Sequence, residues 1–244
     1  MSLSLAALIG LVSLPLFQQQ PLSTDSLVIF KAGRHYHYRA LFVSPAGDTL
    51  SRESITLTPS GTPWIGQPSK QTAFSLQFHY TPQDSLTFLA YPNPKSKPKE
   101  KPEVYTWSRS IVTGAIENRK EILIHPIRNN QYEHSEVAPF PQIKIPSLQV
   151  GGNWNSMTVI MTGWGAFKGT VKSHYEVEKQ VPRQYGNLTL ADCWLVHAVG
   201  RHSKLGTSYL DFYFHPQYGF TEMKYRFYDG TIISFVLEKV TDQP

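Results

Sequence analysis

Along its C-terminal half the chain alternates apolar and polar residues. In TVKSHYEVE (170–178), Val171, Tyr175 and Val177 fall on one side, and Lys172, His174, Glu176 and Glu178 on the other. SYLDFYFH (208–215) sets Leu210, Phe212 and Phe214 opposite Tyr209, Asp211 and Tyr213. FTEMKYRFY (220–228) sets Met223, Tyr225 and Phe227 against Glu222, Lys224 and Arg226, and TIISFVLEKV gathers Ile233, Phe235 and Leu237. Successive side chains of a strand point to opposite faces, so each run predicts a strand buried on one side. MTVIMT (157–162) alternates as well, with Met157, Val159 and Met161 against Thr158, Ile160 and Thr162. Asp229-Gly230 reads as a two-residue type I′ hairpin turn, since glycine tolerates the positive φ that turn demands.

The same grammar of short apolar runs split by Pro, Gly, Asp and Ser continues upstream. Together it predicts strands near 34–43, 50–58, 73–80, 86–91, 156–162, 169–179, 189–199, 207–215, 219–228 and 231–240. WSRSIVTGAIE (107–117) has the best helical spacing, with Trp107, Ile111, Ala115 and Ile116 near one face, though it also fits a strand. The sheet's apolar face must be covered, and no long amphipathic helix is available to do it. The expected fold is therefore mostly β, a curved antiparallel sheet closing into a partly open barrel or sandwich, with few short helices.

Composition supports this picture. Of the 244 residues, 41% are hydrophobic and 17% charged, enough apolar matter for one sizeable core. Aromatics at 13% favour strands. Residues 1–17, MSLSLAALIGLVSLPLF, carry no Lys or Arg and read as the apolar core of a signal peptide, too short for a comfortable membrane span. The expected organisation is a signal peptide at 1–20 and a single β domain at 21–244, its halves separated by a Pro/Lys-rich loop at 92–103. The mature chain is then periplasmic or secreted, with no transmembrane span. The net charge of +5 owes much to Lys95, Lys97, Lys99 and Lys101, crowded into that loop. A nucleic-acid binder needs basic residues spread over a folded face, so no nucleic-acid partner is expected. The one cysteine, Cys193, cannot form a disulfide within the chain, and its apolar run DCWLVHAV reads as core.

Candidate chemistry concentrates in EILIHPIRNNQYEHSEVAPFPQIKIP (121–146), where His125, His134, Glu133 and Glu136 could supply metal ligands or a hydrolase centre. The stretch lacks helical His spacing, and Pro139, Pro141 and Pro146 stiffen it. It therefore reads as a strap, extended or polyproline-like, crossing the sheet on Phe140, Ile143 and Ile145. His35 and His37 share a strand face, but Ala40 and Leu41 stand where a cupin-like site needs a carboxylate. Trp164-Gly165 in TGWGAFKG reads as a hairpin turn, and no phosphate-binding or nucleophile-elbow signature is present. Asp192, Asp211 and Glu222 have ordinary places on polar strand faces. No motif requires a cofactor.

From Trp154 onward, the order W…SHYEVEKQ, LADCWLVHAV, TSYLDFYFHPQYGFTEMKYRFYDGTIISFVLEKV resembles uncharacterised exported bacterial β-rich proteins. More distantly it is similar to the lipoprotein-localisation (LolA/LolB-type) half-barrel. That resemblance implies a curved sheet holding acyl chains on its concave face, and it carries over no catalytic residue. The expected function is a non-catalytic envelope protein binding an apolar ligand such as a lipid, or a protein partner, on an aromatic β face. Trp154, Trp164, Trp194, Phe212, Phe214, Tyr225 and Phe235 are its candidate ligand-binding residues. The competing expectation is a metal-dependent or carboxylate-based hydrolase of envelope or polysaccharide material, using His125, His134 and Glu136.

Overall fold

The alternating runs become twelve antiparallel strands in one sheet. The computed structural model describes residues 29–64, 71–89, 97 and 107–242. The expected signal peptide at 1–20 and nearly all of the loop at 92–103 lie outside them. The first six strands are β1 (Arg34–Val43), β2 (Thr49–Pro63), β3 (Thr72–His79), β4 (Ser110–Glu117), β5 (Glu121–Ile124) and β6 (Gln142–Lys144). The second six are β7 (Asn153–Ile160), β8 (Gly169–Tyr185), β9 (Leu188–His202), β10 (Gly206–His215), β11 (Gly219–Arg226) and β12 (Ile232–Asp242). Across the sheet they run β6-β5-β4-β3-β2-β1-β12-β11-β10-β9-β8-β7. Two meanders thus join side by side through β1 and β12, from Arg34 opposite Asp242 to Val43 opposite Ile232.

This order forces curvature. Strands β6 and β7 are consecutive in the chain yet lie at opposite edges, linked only by residues 145–152. A link that short spans at most roughly 30 Å. A flat sheet of this many strands would hold its edges roughly 50 Å apart, at about 4.8 Å per strand. The sheet therefore curls into a nearly closed barrel, as the alternation predicts.

The strap fills the interior. Tyr132 is fully buried with its ring 5.1 Å from Phe235. The Tyr175 hydroxyl donates to the Phe140 carbonyl at 2.9 Å. Gln131 Nε2 donates to Ser51 Oγ and Glu53 Oε1 on β2, each at 3.1 Å. Gly200 on β9 gives the strap its clearance, because a Cβ there would stand 2.8 Å from Cδ of Pro139. Phe140, Ile143 and Ile145 are buried, as expected of anchors. The strap's first part is not extended, however. Asn130–Val137 form a 3₁₀ helix, entered through Asn130 at φ 58, a left-handed conformation that asparagine tolerates. Pro139, Pro141 and Pro146, the prolines expected to stiffen it, come only after this helix.

Several local expectations are corrected. Where a strand is expected at 86–91, the chain forms helix α1 (Pro82–Leu89). Its start is a reciprocal cap: Asp84 N donates to Thr81 Oγ1 at 3.1 Å, while Thr81 N donates to Asp84 Oδ2 at 2.7 Å. Pro82 in the first helical position completes the signal. The helical spacing at 107–117 instead gives β4, where Ile111, Val112, Thr113 and Ile116 favour a pleated chain. Strands β5 and β6 are too short to show a period. The Asp229-Gly230 hairpin is not type I′. Only Gly230 has positive φ (92), Gly230 N donates to the Phe227 carbonyl at 3.0 Å, and Phe227 N donates to the Thr231 carbonyl at 2.9 Å. This is a three-residue loop closed by glycine. In β7 it is Trp154 and Ile160 that turn inward, leaving Met157, Val159 and Met161 outside.

Candidate functional site

Between the sheet's two edges, β6 and β7, the described residues leave a seam. Among the described residues β7 pairs with β8 on one side and with no strand on the other. Ile116 of β4 and Leu123 of β5 face Met157, Thr158, Val159 and Met161 across a cleft of about 430 Å³. The strap contributes His125, Arg128, Glu136 and Phe140 to its lining, and the β7–β8 connection contributes Trp164. That connection is the turn the sequence predicts, with Gly165 at φ 51.

The cleft has an apolar wall and a polar floor. Arg128 Nη1 donates to Glu136 Oε2 at 2.7 Å, and the guanidinium carbon lies 5.6 Å from the Trp164 ring centre. His125 packs between Trp64 (5.2 Å) and Phe140 (5.7 Å). Burial, aided by the Arg128 charge, lowers its imidazole to about 4, so it is neutral at ordinary pH. Its Nδ1 is buried with no hydrogen-bond partner among the described residues. The site can therefore take apolar matter along Ile116, Leu123 and the methionines, with a neutral hydrogen-bonding group beside it.

The residues of the hydrolase expectation have separate partners. His134 Nε2 lies 3.1 Å from Asp229 Oδ2, in a setting of Phe42, Phe167 and Phe227. Burial alone would raise Asp229, but the His134 hydrogen bond and charge, with the Thr231 amide, hold it down at about 2. Glu136 is engaged by Arg128. Among the described residues no group of three or more His, Cys, Asp or Glu is arranged to hold a metal ion. His35 and His37 lie on the outer side of β1, His35 Nδ1 being 2.9 Å from Thr58 Oγ1. Cys193 is buried, which pushes its thiol up to about 11.

Of the aromatic candidates, Trp154, Trp194, Phe212, Phe214, Tyr225 and Phe235 are all buried in the barrel's main core. Trp154 stacks on Tyr175 at 5.1 Å, and Tyr225 on Phe227 at 5.6 Å. Only Trp164 reaches the seam. Sequence reading missed Ile116, Leu123 and Arg128 as lining. Their one visible signal was an apolar or charged residue beside a strand end, which singles out no site.

No family model matches the chain, and no curated protein matches it significantly. Several solved structures are similar to it at low identity. An inferred exported protein with a YmcC-like fold from Bacteroides fragilis is 7% identical, with a TM-score of 0.44 over 87% of this chain and 97% of its own. An inferred lipoprotein of Parabacteroides distasonis is 8% identical, with a TM-score of 0.41 over 87% and 96%. The hypothetical lipoprotein YmcC from Escherichia coli is 6% identical, with a TM-score of 0.35 over 85% and 87%. Among the described residues no helix is long and apolar enough to cross a membrane.

Proposed function

We propose that the protein is an exported, non-catalytic envelope protein that holds an apolar ligand, such as an acyl chain, along its seam. Export rests on the apolar leader. The ligand reading rests on one observation: three large apolar side chains, Met157, Val159 and Met161, stand 63%, 63% and 75% exposed on the rim of a cleft whose far wall is also apolar. Soluble proteins rarely leave such a cluster bare without a use. The half-barrel resemblance implies acyl chains on the concave face. Here the strap's Tyr132, Ala138 and Phe140 take up that face, so the ligand is assigned to the seam, with Trp164 as its aromatic contact.

Native mass spectrometry of protein purified from its host tests this. A co-purifying lipid is expected, and Leu123→Lys, which puts a charge in the cleft wall, should remove it. Lipid-free protein that shows no thermal shift across fatty acids and lysophospholipids would overturn the lipid reading in favour of a protein partner.

A further inference from the structure

The outer face beside the seam has an unusual charge arrangement. Met157 on β7 stands opposite Lys172 on β8, and Lys172 stands opposite Arg201 on β9. Like charges facing each other across a strand pair are destabilising. Yet neither Lys172 nor Arg201 has an ion-pair partner among the described residues, and both are exposed. Lys168 and Lys204, on the turns just beyond, are likewise exposed and without a carboxylate partner. The nearest acid along β8 is Glu176, roughly 13 Å from Lys172 at about 3.3 Å per residue, beyond the screening length at physiological salt. Asp211, on β10 two strands away, is taken by His197 of β9. The cations border an apolar stripe. Asn155, Met157, Lys172, His174, Val199 and Arg201 line one open groove, and Val159, Met161, Trp164 and Lys168 share a second with the β7–β8 turn.

We infer that this β7–β9 face docks on an anionic lipid surface. Met157, Val159 and Met161 would enter the headgroup layer, while Lys168, Lys172, Arg201 and Lys204 meet lipid phosphates. The charge complementarity decides the occupant. A face meant for a second copy of this chain would oppose these four cations to themselves, and an apolar protein partner would leave them unmatched. Trp164, half-buried at the same rim, suits the membrane–water boundary. Docking belongs to the outer face and does not require the seam to be occupied.

The test is flotation of the purified protein with vesicles of phosphatidylglycerol and phosphatidylcholine, against phosphatidylcholine alone. Binding to the anionic vesicles is expected, weakening with salt. Each cation near such a surface is worth about fivefold in partitioning, so Lys172→Glu with Arg201→Glu should lose at least about tenfold. Lys172→Arg with Arg201→Lys should retain binding, and Met157→Ser with Met161→Ser should reduce it. All these side chains are exposed, so an unchanged thermal midpoint checks the fold. Leu123→Lys should leave vesicle binding intact, which separates failure of the seam reading from failure of this one. Equal binding to both vesicle types, charge-reversed protein that still binds, or no vesicle binding with a dimer that Met157→Ser dissolves would each overturn the inference.

Discussion

The two arms of the sheet solve the same problem differently. The C-terminal arm, β7–β12, is a meander of long neighbours, with β8 and β9 reaching 17 and 15 residues. Its inward side is apolar apart from small hydroxyls and His202. The N-terminal arm begins with long strands but tapers to four residues in β5 and three in β6. It relies on the strap to complete its interior, and within that mostly apolar interior it seals a polar group of Glu53, Gln131 and Ser51 from solvent. One arm is held by repetition along the chain, the other by a segment returning from beyond it. The first kind of order is visible locally; the second is a tertiary contact.

If the β1–β12 junction makes one cooperative body, damage to either arm should unfold both. Phe235→Ala in the C-terminal arm and Phe74→Ala in the N-terminal arm each remove a fully buried ring, at a cost of about 3–5 kcal/mol. Urea unfolding followed by near-ultraviolet and far-ultraviolet signals should show one coincident transition shifted in both variants. Two separated transitions would split the arms into independent units.

That polar group sharpens the contrast through pH. Burial pushes the Glu53 carboxyl up to about 7 against an ordinary 4.5, with Tyr132 and Gln131 pulling the other way. The folded protein therefore holds a proton that the unfolded chain releases between those values. Stability from this group is full below about 4.5 and is lost as pH rises through about 7. Glu53→Gln, neutral throughout, should stabilise the protein by up to about 3 kcal/mol at pH 8 and little at pH 4. Thermal midpoints that differ from the parent equally at both pH values would contradict a buried carboxyl in the N-terminal arm.

A smaller effect is expected where the strap meets the C-terminal arm. Gly200→Ala puts a methyl group against Pro139 and Val171, an overpacking worth about 1–3 kcal/mol. Hydrogen exchange should quicken in residues 130–140 while the β10–β11 hairpin keeps its protection. Uniform loss of protection would mean that the strap is no separate element.

The sequence by itself determined the strands of the C-terminal arm and, in β8 and β10–β12, which side chains face inward. Leu210, Phe212, Phe214, Tyr225 and Phe235 are read correctly because the side-chain period of a long half-buried strand is written in neighbouring residues. It also held a helix start at Thr81–Asp84, legible as a cap though it resembles a turn. Only the tertiary structure decided that Met157, Val159 and Met161 face out, since on an edge strand both sides of the alternation carry apolar residues and the packing of Trp154 on Tyr175 chooses between them. It alone assigned His134 to Asp229 and Glu136 to Arg128, and set Ile116 and Leu123 across from β7. Those partners are brought together by closure of the sheet, and closure depends on contacts between residues far apart in the chain, which no local pattern records.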